Sequence, residues 1–333
     1  MGGSMRVLFI GGTGVISSAC TELAVAQGIE LFHLNRGTQQ VAVPAGVTTL
    51  QGDIRQPAEV AEVLKPYRFD AVVEWVAYEP AHIETDLALF AGKTAQYVFI
   101  SSTATYQKPP VYYRMTESVP QYNPYWEYAQ LKIACEEQLR AAYRQHGIPM
   151  TIVRPSHTYG NTKIPYVVGS GYIVVDRMRR GKPTIVPGDG QALWTLTHNS
   201  DFAKGLVGLL GNPQAIGESF HITSDEVLTW DQIARIIGHA AGVQPELIHI
   251  PSDLIQHYDA TLGANLLGDK AYNAVFDNSK IKRAVPGYLA TTPFTEGLRH
   301  AIAWHDADPA RQRINVELDA VLDRICAAYQ RAW

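Results

Sequence analysis

A tyrosine and a lysine lie one helical turn apart in the segment Tyr128-Ala129-Gln130-Leu131-Lys132. On a helix, this spacing puts the phenol and the ammonium on the same face. Ser102 follows an apolar run and precedes the tyrosine by 26 residues, and a glycine-rich turn lies near the start of the chain. A turn that can bind a nucleotide, a hydroxyl group and a Tyr/Lys pair, in this order, indicate oxidation or reduction at a carbon that carries a hydroxyl group.

These three side chains could together move a proton. Hydride transfer from a C–H(OH) carbon needs a base for the hydroxyl proton, and the reverse reaction needs an acid. A free tyrosine, with a pKa of about 10, is a poor base at neutral pH, but a neighbouring ammonium favours its phenolate form. We therefore predict Tyr128 as the acid/base, Lys132 as the group that lowers its pKa, and Ser102 as the group that holds the substrate oxygen. The competing interpretation is structural, because a helix aromatic often packs and a strand-end hydroxyl often bonds to the backbone.

The glycine turn has the pattern Gly11-x-x-Gly14-x-x-Ser17. Glycines at the junction of a first strand and a first helix let the backbone approach a pyrophosphate, and the helix N-terminus supplies free N–H groups. Ser17 stands where a third small residue is usual, and a tight structural turn would give the same pattern. We predict that the turn binds a dinucleotide through Gly11, Gly12, Thr13, Gly14, Val15 and Ile16.

The end of the second predicted strand bears on which dinucleotide binds. NAD sites usually place Asp or Glu there to bind the ribose 2′-hydroxyl, whereas an Arg accommodates a 2′-phosphate. This chain has Asn35-Arg36-Gly37 and no carboxylate. The pattern slightly favours NADP over NAD, although Asn35 could bond a bare ribose. Asp53 and Ile54, after the third predicted strand, are expected to flank the adenine, or Asp53 is a turn residue.

The elements that must position these residues alternate along the first half of the chain. Apolar runs predict parallel strands, and the stretches between them predict helices; the strands are expected at 6–10, 30–35, 47–50, 70–76, 97–101 and 150–154. In the second half the pattern predicts a strand at 218–222 and helices at 199–210, 230–241, 295–305 and 309–331, whereas 161–194 is expected to be irregular. The fold class is therefore α/β, a doubly wound parallel sheet with helices on both faces and a smaller C-terminal α+β lobe.

The composition excludes several classes of protein. A net charge of −4 gives no overall attraction to nucleic acid, and no apolar run is long enough to span a membrane. Cys20, Cys135 and Cys326 are far apart and odd in number, which suggests a reducing compartment, and we see no signal peptide, so a cytoplasmic location is expected. No His/Cys/carboxylate spacing suits a metal, and no Gly-x-Ser-x-Gly elbow indicates a serine hydrolase.

A short basic run at 177–182 has two interpretations. Its cations could end a helix, with Gly181 as the stop. The alternative is contact with a phosphate of the substrate.

Taken together, the motifs resemble the short-chain dehydrogenase/reductase superfamily, in its extended branch of NAD-dependent epimerase/dehydratase-like proteins. The likeness lies in Val7-Leu8-Phe9-Ile10-Gly11-Gly12-Thr13-Gly14, Gly52-Asp53-Ile54, Val98-Phe99-Ile100-Ser101-Ser102, Tyr128-x-x-x-Lys132, Arg154-Pro155-Ser156-His157-Thr158-Tyr159-Gly160, Pro187-Gly188-Asp189-Gly190 and Phe220-His221-Ile222-Thr223.

The resemblance implies a Rossmann domain over 5–160, with 195–225 returning to it, and a substrate lobe over 161–194 and 226–333. It also implies a bound nicotinamide cofactor, a nucleotide-sugar substrate and a homodimer. Further site residues follow from it: the cofactor contacts Ala77, Ser101, Lys132, Pro155 and His157, and the substrate contacts Tyr78, Thr103, His157 and Trp194.

Three positions depart from the family pattern. Thr103-Ala104 stands where sugar 4,6-dehydratases have Asp-Glu, so dehydration is disfavoured. His157 replaces a frequent Asn. Trp194 lies where many nucleotide-sugar enzymes have an Arg for the diphosphate, and a neutral indole cannot neutralise phosphate.

The expected function is an NAD(P)-dependent epimerase or oxidoreductase that acts on a hydroxyl or keto carbon of a sugar, and the sequence does not separate these two. One alternative, suggested by Trp194, is a reductase of a non-sugar secondary metabolite. The other is a catalytically silent RNA-binding or regulatory relative, because Asn35-Arg36-Gly37 is similar to the chloroplast RNA-binding members. The intact Ser/Tyr/Lys set argues against the second alternative.

Overall fold

The computed structural model describes residues 3–37 and 43–332. Its strands in chain order are β1 (Arg6–Ile10), β2 (Glu30–Asn35), β3 (Val47–Gln51), β4 (Phe69–Glu74), β5 (Thr94–Ile100), β6 (Met150–Pro155), β7 (His157–Tyr159), β8 (Thr184–Pro187), β9 (Leu193–Trp194), β10 (Leu196–His198), β11 (Ser219–Ile222), β12 (Leu228–Thr229) and β13 (Leu247–Ile250). The helices are α1 (Val15–Ala26), α2 (Pro57–Leu64), α3 (Pro80–Phe90), α4 (Glu127–His146), α5 (Tyr172–Arg179), α6 (Asn199–Leu209), α7 (Trp230–Ala240), α8 (Ser252–Tyr258), α9 (Ala260–Asn265), α10 (Ser279–Ala284), α11 (Phe294–Asp306) and α12 (Val316–Ala332).

Seven parallel strands form the central sheet, in the order β11-β6-β5-β4-β1-β2-β3. The chain runs outward from β1 through β2 to β3 and then returns to β4 on the other side of β1. Ligands of open parallel sheets bind at such a switch point, beyond the carboxyl ends of the strands. The predicted doubly wound α/β fold is therefore confirmed.

Alternate residues of the strands fill two cores, one on each face of the sheet. In β1, Val7 and Phe9 face the core that contains α1 and α6, whereas Leu8 and Ile10 face the core that contains α2, α3 and α4. Strands buried on both faces read as continuous apolar runs, which explains why the sequence revealed them.

A third core belongs to the C-terminal lobe, where short strand pairs β7/β10, β8/β13 and β9/β12 pack with helices α5, α7 and α11. Thr229 caps α7, and its hydroxyl and the Gln232 side chain form a reciprocal capping box. The irregular segment expected at 161–194 contains α5 and two of the strands, β8 and β9.

The predicted helix over 309–331 is wrong at its start. Residues 309–311 form a separate 3₁₀ turn, in which the Asp308 carboxylate accepts the Ala310 N–H at 2.9 Å. The long helix starts afresh at Val316, because the Asn315 side chain accepts the Leu318 N–H at 3.0 Å. Two capping side chains thus divide one apolar pattern into two elements.

The basic run at 177–182 fastens α5 to α12. Arg177 pairs with Asp319 and, at 2.9 Å, with Asp323, and Lys182 reaches Asp323 at 2.6 Å. Gly181 follows the helix with a φ of +67°, as a stop residue should. These cations are paired within the lobe, so the structural interpretation of the run is the one that the contacts support.

The shape of the glycine turn depends on what lies beneath it. Gly11 has a φ of +89°, and a Cβ there would meet Val76 Cγ1 at 2.5 Å. A Cβ on Gly12 would meet the His33 ring at 2.5 Å. That ring is held by Thr21 Oγ1, 2.9 Å from Nε2, and it stacks on Phe9. Burial lowers the pKa of His33 to about 4, so the ring supports the turn as a neutral group.

We expect Gly12→Ala to lower the free energy of unfolding by about 1–3 kcal/mol, because the added methyl group must displace the buried His33 ring. Gly14→Ala is the matched control: its Cβ would meet only Ser17 Oγ at 3.4 Å, an ordinary contact, and we expect a loss below about 1 kcal/mol. Urea denaturation of both variants measures the difference. Equal losses would contradict the role assigned to His33.

Candidate functional site

A cleft opens beyond the carboxyl ends of the strands at the switch point. Its cavity is about 600 Å³, a usual size for a ligand site. Seven of the predicted cofactor residues line it: Gly11, Thr13, Gly14, Asn35, Arg36, Asp53 and Ile54. Gly12, Val15 and Ile16 continue the turn into the first residues of α1. The cofactor residues predicted from the glycine turn and the strand ends therefore lie along one continuous surface.

The residues of this cleft fit a dinucleotide. The turn Gly11-Gly12-Thr13-Gly14 consists of small residues and leads into the start of α1, where the helix dipole favours phosphate. The Ser17 hydroxyl accepts the Gly14 N–H at 2.8 Å and donates to the Gly11 carbonyl at 3.1 Å, so it fixes the turn from inside. Ser17 is therefore a working replacement for the usual third small residue.

Arg55 is a cleft residue that the sequence analysis missed. Its Nη2 donates to the Val76 carbonyl at 2.5 Å, and its backbone N–H donates to Asp53 Oδ1 at 3.0 Å. Among the described residues, its buried Nη1 has no hydrogen-bond partner. A buried guanidinium N–H without a partner, in a residue that lines the cleft, favours a ligand that carries phosphate. The available signal was a basic residue directly after Asp53-Ile54.

Ser102, Tyr128 and Lys132 converge at the end of β5. Ser102 starts a 3₁₀ turn over Thr103–Thr105, accepting the Ala104 N–H at 3.1 Å, and its side chain lies near enough to the Tyr128 hydroxyl to act on the pKa of that phenol. Lys132 is 2% exposed, and its Nζ lies 6.0 Å from the centre of the Tyr128 ring. The predicted hydroxyl, phenol and amine therefore form one group in space.

The Lys132 ammonium is bound to backbone. It donates to the Ala77 carbonyl at 2.7 Å and to the Ile100 carbonyl at 2.8 Å. Burial lowers the pKa of Lys132 to about 8. Ala77 thus contributes to the site by accepting a hydrogen bond from Lys132 with its carbonyl oxygen.

The electrostatics of Tyr128 differ from the sequence-based expectation. Burial raises its pKa to about 12, and the hydrogen bond from Ser102 offsets only part of this. Lys132 does not lower it, because the ammonium is directed at the two carbonyl oxygens. In this state the tyrosine is a protonated phenol, ready to donate.

A buried ion pair supports the Ser101-Ser102 corner. The Arg154 guanidinium binds Glu136 through Nε at 2.9 Å and Nη2 at 2.5 Å, and Ser101 Oγ donates to Glu136 Oε1 at 2.6 Å. Burial alone would raise the pKa of Glu136, but the Arg154 charge and these hydrogen bonds outweigh it and lower that pKa. The hydroxyl of Ser101, predicted to contact cofactor, is thus engaged with Glu136.

The predicted substrate residues occupy different depths. Tyr78 is 48% exposed and its ring lies 6.5 Å from that of Tyr128, so it forms an open wall. Thr103 is buried within the 3₁₀ turn. Trp194 is 1% exposed, packs 5.1 Å from Trp230 and donates its indole N–H to the Tyr272 carbonyl at 2.9 Å, which makes it part of the lobe core.

Pro155 ends β6 and His157 begins β7, at the border between the two lobes. The His157 ring lies 6.3 Å from the ring of Trp194. Burial, and then the charges of Lys270 and Lys163, hold the pKa of His157 well below its usual value. Its imidazole is therefore neutral.

A further segment beside this group of residues was not indicated by any sequence motif. Residues Leu266–Lys270 form a π-helical turn, a feature frequent at functional sites. Asn123 joins this turn to the 3₁₀ turn that follows Ser102, donating to the Gly268 carbonyl at 2.6 Å and to the Ala104 carbonyl at 2.9 Å. No periodic pattern in the sequence pointed to this turn.

Comparison with known proteins agrees with this geometry. A profile of the NAD dependent epimerase/dehydratase family matches residues 7–223, which contain the glycine turn, Ser102, Tyr128 and Lys132. The chain belongs to this family. It is an enzyme of the extended short-chain dehydrogenase/reductase type, as the sequence motifs indicated.

Individual relatives are distant. The 2′-dehydrokanamycin reductase of Streptomyces kanamyceticus is 25% identical over 288 residues, 86% of this chain and 80% of the reductase. The chloroplast stem-loop binding protein of 41 kDa b from Arabidopsis thaliana is 25% identical over 258 residues, 73% of this chain and 65% of that protein. The structure of Thermus thermophilus UDP-glucose 4-epimerase in complex with NAD matches with a TM-score of 0.69 and 23% identity, over 91% of this chain and 99% of the epimerase.

Within residues 3–37 and 43–332, no helix has the length and apolar character needed to cross a bilayer. The same residues contain no group of three or more His, Cys, Asp or Glu side chains placed to hold a metal ion.

We expect Glu136→Gln to lower the free energy of unfolding at pH 7 by about 3–5 kcal/mol, because it leaves the Arg154 charge buried without its partner. Since the folded-state pKa of Glu136 is lowered, its contribution is present above the unfolded pKa of about 4.3 and is lost as the pH falls through the folded value. Urea denaturation should therefore show a smaller difference between variant and wild type at low pH than at pH 7. The exposed neighbour provides the control, since Glu137→Gln should change stability by less than about 0.5 kcal/mol. A loss at Glu136 that does not depend on pH would contradict the ion-pair explanation.

Proposed function

We propose that the protein is an NAD(P)-dependent epimerase or oxidoreductase that acts on a hydroxyl or keto carbon of a sugar or sugar-like substrate. The observation that carries this proposal is the convergence of Ser102, Tyr128 and Lys132 near the glycine-turn cleft. Family membership supports the chemistry, since the matched family is defined by NAD-dependent epimerases and dehydratases.

In the proposed reaction, Tyr128 moves the proton. A nicotinamide cofactor, when bound in the cleft, supplies or accepts the hydride. With its raised pKa, the Tyr128 phenol donates its proton to the alkoxide that forms during reduction. Ser102 holds the substrate oxygen, and its hydroxyl also favours the Tyr128 phenolate that the transfer leaves behind. Lys132 fixes α4 against the carbonyl groups of Ala77 and Ile100 and thereby positions Tyr128 for this transfer.

Epimerisation and net reduction use the same residues but differ in the fate of the cofactor. An epimerase returns the hydride to the opposite face of a keto intermediate and keeps its cofactor. A reductase releases product and exchanges cofactor. Cofactor retained through purification supports the epimerase, and turnover of added NADPH supports the reductase.

A second candidate is reduction of a non-sugar metabolite. The observation that favours it is the position of Trp194, which stands in place of a diphosphate-binding Arg and lies in the lobe core. A third candidate, RNA binding without catalysis, draws on the similarity to the stem-loop binding protein. The net charge of −4 and the complete Ser/Tyr/Lys group weigh against it. A salt-dependent gel shift with RNA, together with absence of turnover, would favour that third candidate.

Three further properties belong to the proposal. We propose a preference for NADP because Arg36 lines the cleft where a carboxylate would serve NAD.

A homodimer is expected from the resemblance to extended short-chain dehydrogenases, and light scattering tests it. The three cysteines are buried and free, which suits the reducing cytoplasm.

We expect Tyr128→Phe to cut kcat/KM by at least about a hundredfold, the usual scale for an acid/base group, while cofactor affinity stays near that of the wild type. Steady-state kinetics and cofactor fluorescence titration measure the two quantities. The control is Tyr122→Phe, which removes the hydroxyl of a nearby tyrosine that is 58% exposed and should leave both unchanged. Full activity of Tyr128→Phe would remove this tyrosine from the mechanism.

We expect Arg36→Ala to weaken NADPH binding by about 10-fold to 100-fold, the equivalent of one charge-assisted hydrogen bond. NADH should bind nearly as before, because it has no 2′-phosphate. Titration of both cofactors measures the ratio, with Arg68→Ala as the control, since Arg68 is exposed and bonds to the Tyr67 carbonyl outside the cleft. Equal weakening of NADPH and NADH would end the 2′-phosphate interpretation.

A further inference from the structure

Three lysines lie near one another on the side of Tyr128 where Trp126 packs. Lys270, on the π-helical turn, places its Nζ 5.5 Å from the centre of the Trp126 ring and 5.8 Å from that of Trp194. The Trp126 ring in turn lies 4.9 Å from the Tyr128 ring, so a single indole separates the Lys270 ammonium from the predicted acid/base.

Lys108 is linked to Lys270 through Asp269, which both ammonium groups approach, and Lys163 lies near enough for its charge to act on Lys270. Lys108 is 1% exposed and binds Asp269 Oδ1 at 3.1 Å. Lys163 lies in the turn after β7, where its N–H donates to the Gly160 carbonyl at 3.0 Å, and β7 also carries His157. The charges of Lys163 and Lys270 both act on the His157 ring. We call Lys108, Lys163 and Lys270 the lysine cluster.

Within the described part of the chain, the lysine cluster carries more positive charge than its surroundings neutralise. Asp269 is the carboxylate that contacts it, and Lys108 already occupies one oxygen of that group. Lys270 Nζ is 4.0 Å from the other oxygen, too far for a hydrogen bond. His157 adds no negative charge, because its imidazole is neutral.

Burying an ammonium group without a close anionic partner costs free energy, and this cost lowers the pKa of the lysine. Burial is the cause that lowers the pKa of Lys163. Burial also lowers the pKa of Lys270 to about 8; Asp269 counteracts this, and the charges of Lys163 and Lys108 add to it. A bound anion would relieve this cost by pairing with both ammonium groups.

We propose that Lys163 and Lys270 bind an anionic group of the substrate, a carboxylate or a phosphate, while its reacting carbon lies at Tyr128. The position of the reacting carbon rests on the proposed function, whereas the anion site rests on the lysine cluster. Trp194 cannot supply the charge that an Arg would supply at its position, and these lysines supply it from the π-helical turn and the loop after β7. Trp126, between the anion site and Tyr128, offers an aromatic face for a sugar ring.

This assignment makes the substrate an acidic sugar or a sugar phosphate. A neutral sugar would leave the two ammonium groups unpaired, and a polyamine sugar would be repelled by them. A phosphate and a carboxylate would both be recognised by pairing with these ammonium groups. The binding experiment below distinguishes a sugar phosphate from an acidic sugar.

The test measures binding to the cofactor-loaded protein by isothermal titration calorimetry. The probes are inorganic phosphate, glucose 1-phosphate, glucuronate and glucose. We expect at least one anionic probe to bind at least about tenfold more tightly than glucose, and Lys270→Met and Lys163→Met each to remove that advantage. Preference for glucose 1-phosphate identifies a phosphate site, and preference for glucuronate identifies a carboxylate site. Anion binding that is unchanged in both variants would overturn the proposal.

The control is Lys65→Met, because Lys65 is exposed and pairs with Glu62 at 3.2 Å, at the end of α2 in the Rossmann domain. It should bind every probe as the wild type does. Thermal unfolding of each variant verifies that the fold is retained.

A second measurement needs no variant. Near pH 8 the Lys270 amine is partly unprotonated and should react with trinitrobenzenesulfonate, which peptide mass spectrometry locates. Glucose 1-phosphate or glucuronate should protect Lys270 at least about fivefold in rate, both by covering it and by favouring its charged form. Labelling that no anionic probe slows would count against the site even if a variant failed to fold.

Failure of the anion site and failure of the proposed reaction give different results. Tyr128→Phe should bind the anionic probes like the wild type although it does not turn over. If Tyr128→Phe remains fully active while Lys270→Met loses anion binding, the proposed mechanism fails and the anion site stands. If Tyr128→Phe is inactive and both lysine variants bind anions normally, the opposite holds.

Discussion

The site depends on one buried ammonium group. Lys132 leaves α4 and donates to the carbonyl of Ala77, just beyond β4, and to that of Ile100, the last residue of β5. Those two strands are neighbours in the sheet, so a single side chain fixes a helix against both of their carboxyl ends. Tyr128 lies one turn earlier on the same helix and therefore reaches Ser102, which follows β5. The position of the phenol is thus a consequence of where the amine is anchored.

Burial decides the resting charge of this pair. It raises the pKa of Tyr128 to about 12 and lowers that of Lys132 to about 8, because both charged forms lose water. The attraction expected between a Tyr128 phenolate and the Lys132 ammonium does not offset this effect of burial, so the phenol is the resting form. The arrangement suits a proton donor whose phenolate forms only as the substrate accepts the proton. Stabilisation of the phenolate at that stage acts on the transition state, and this is the stabilisation that accelerates a reaction.

Local patterns in the sequence were enough to predict the sheet, the glycine turn and the Tyr/Lys pair. Each of these depends on residues close together in the chain or on apolar strands buried on both faces. The depth of Trp194 could not be predicted, because it depends on Trp230 and on the Tyr272 carbonyl, residues far along the chain. The same holds for Lys270, whose π-helical turn has no periodic signature and is positioned by Asn123 from the other lobe. Site residues supplied by the sheet were thus visible in the sequence, and those supplied by lobe packing were not.

Hydrogen bonds fix the chain just beyond β4, which forms the wall beside the glycine turn. The Glu74 carboxylate accepts the Val76 N–H, and Arg55 holds the Val76 carbonyl, so the wall facing Gly11 is fixed from both sides. Burial and the nearby Asp86 raise the pKa of Glu74, and burial raises that of Asp86 to about 6. A proton kept by Glu74 at neutral pH leaves the pair with one negative charge instead of two. The pair therefore repels the phosphates of a dinucleotide less than two carboxylates would, so an anion can approach the wall beside Gly11 more closely.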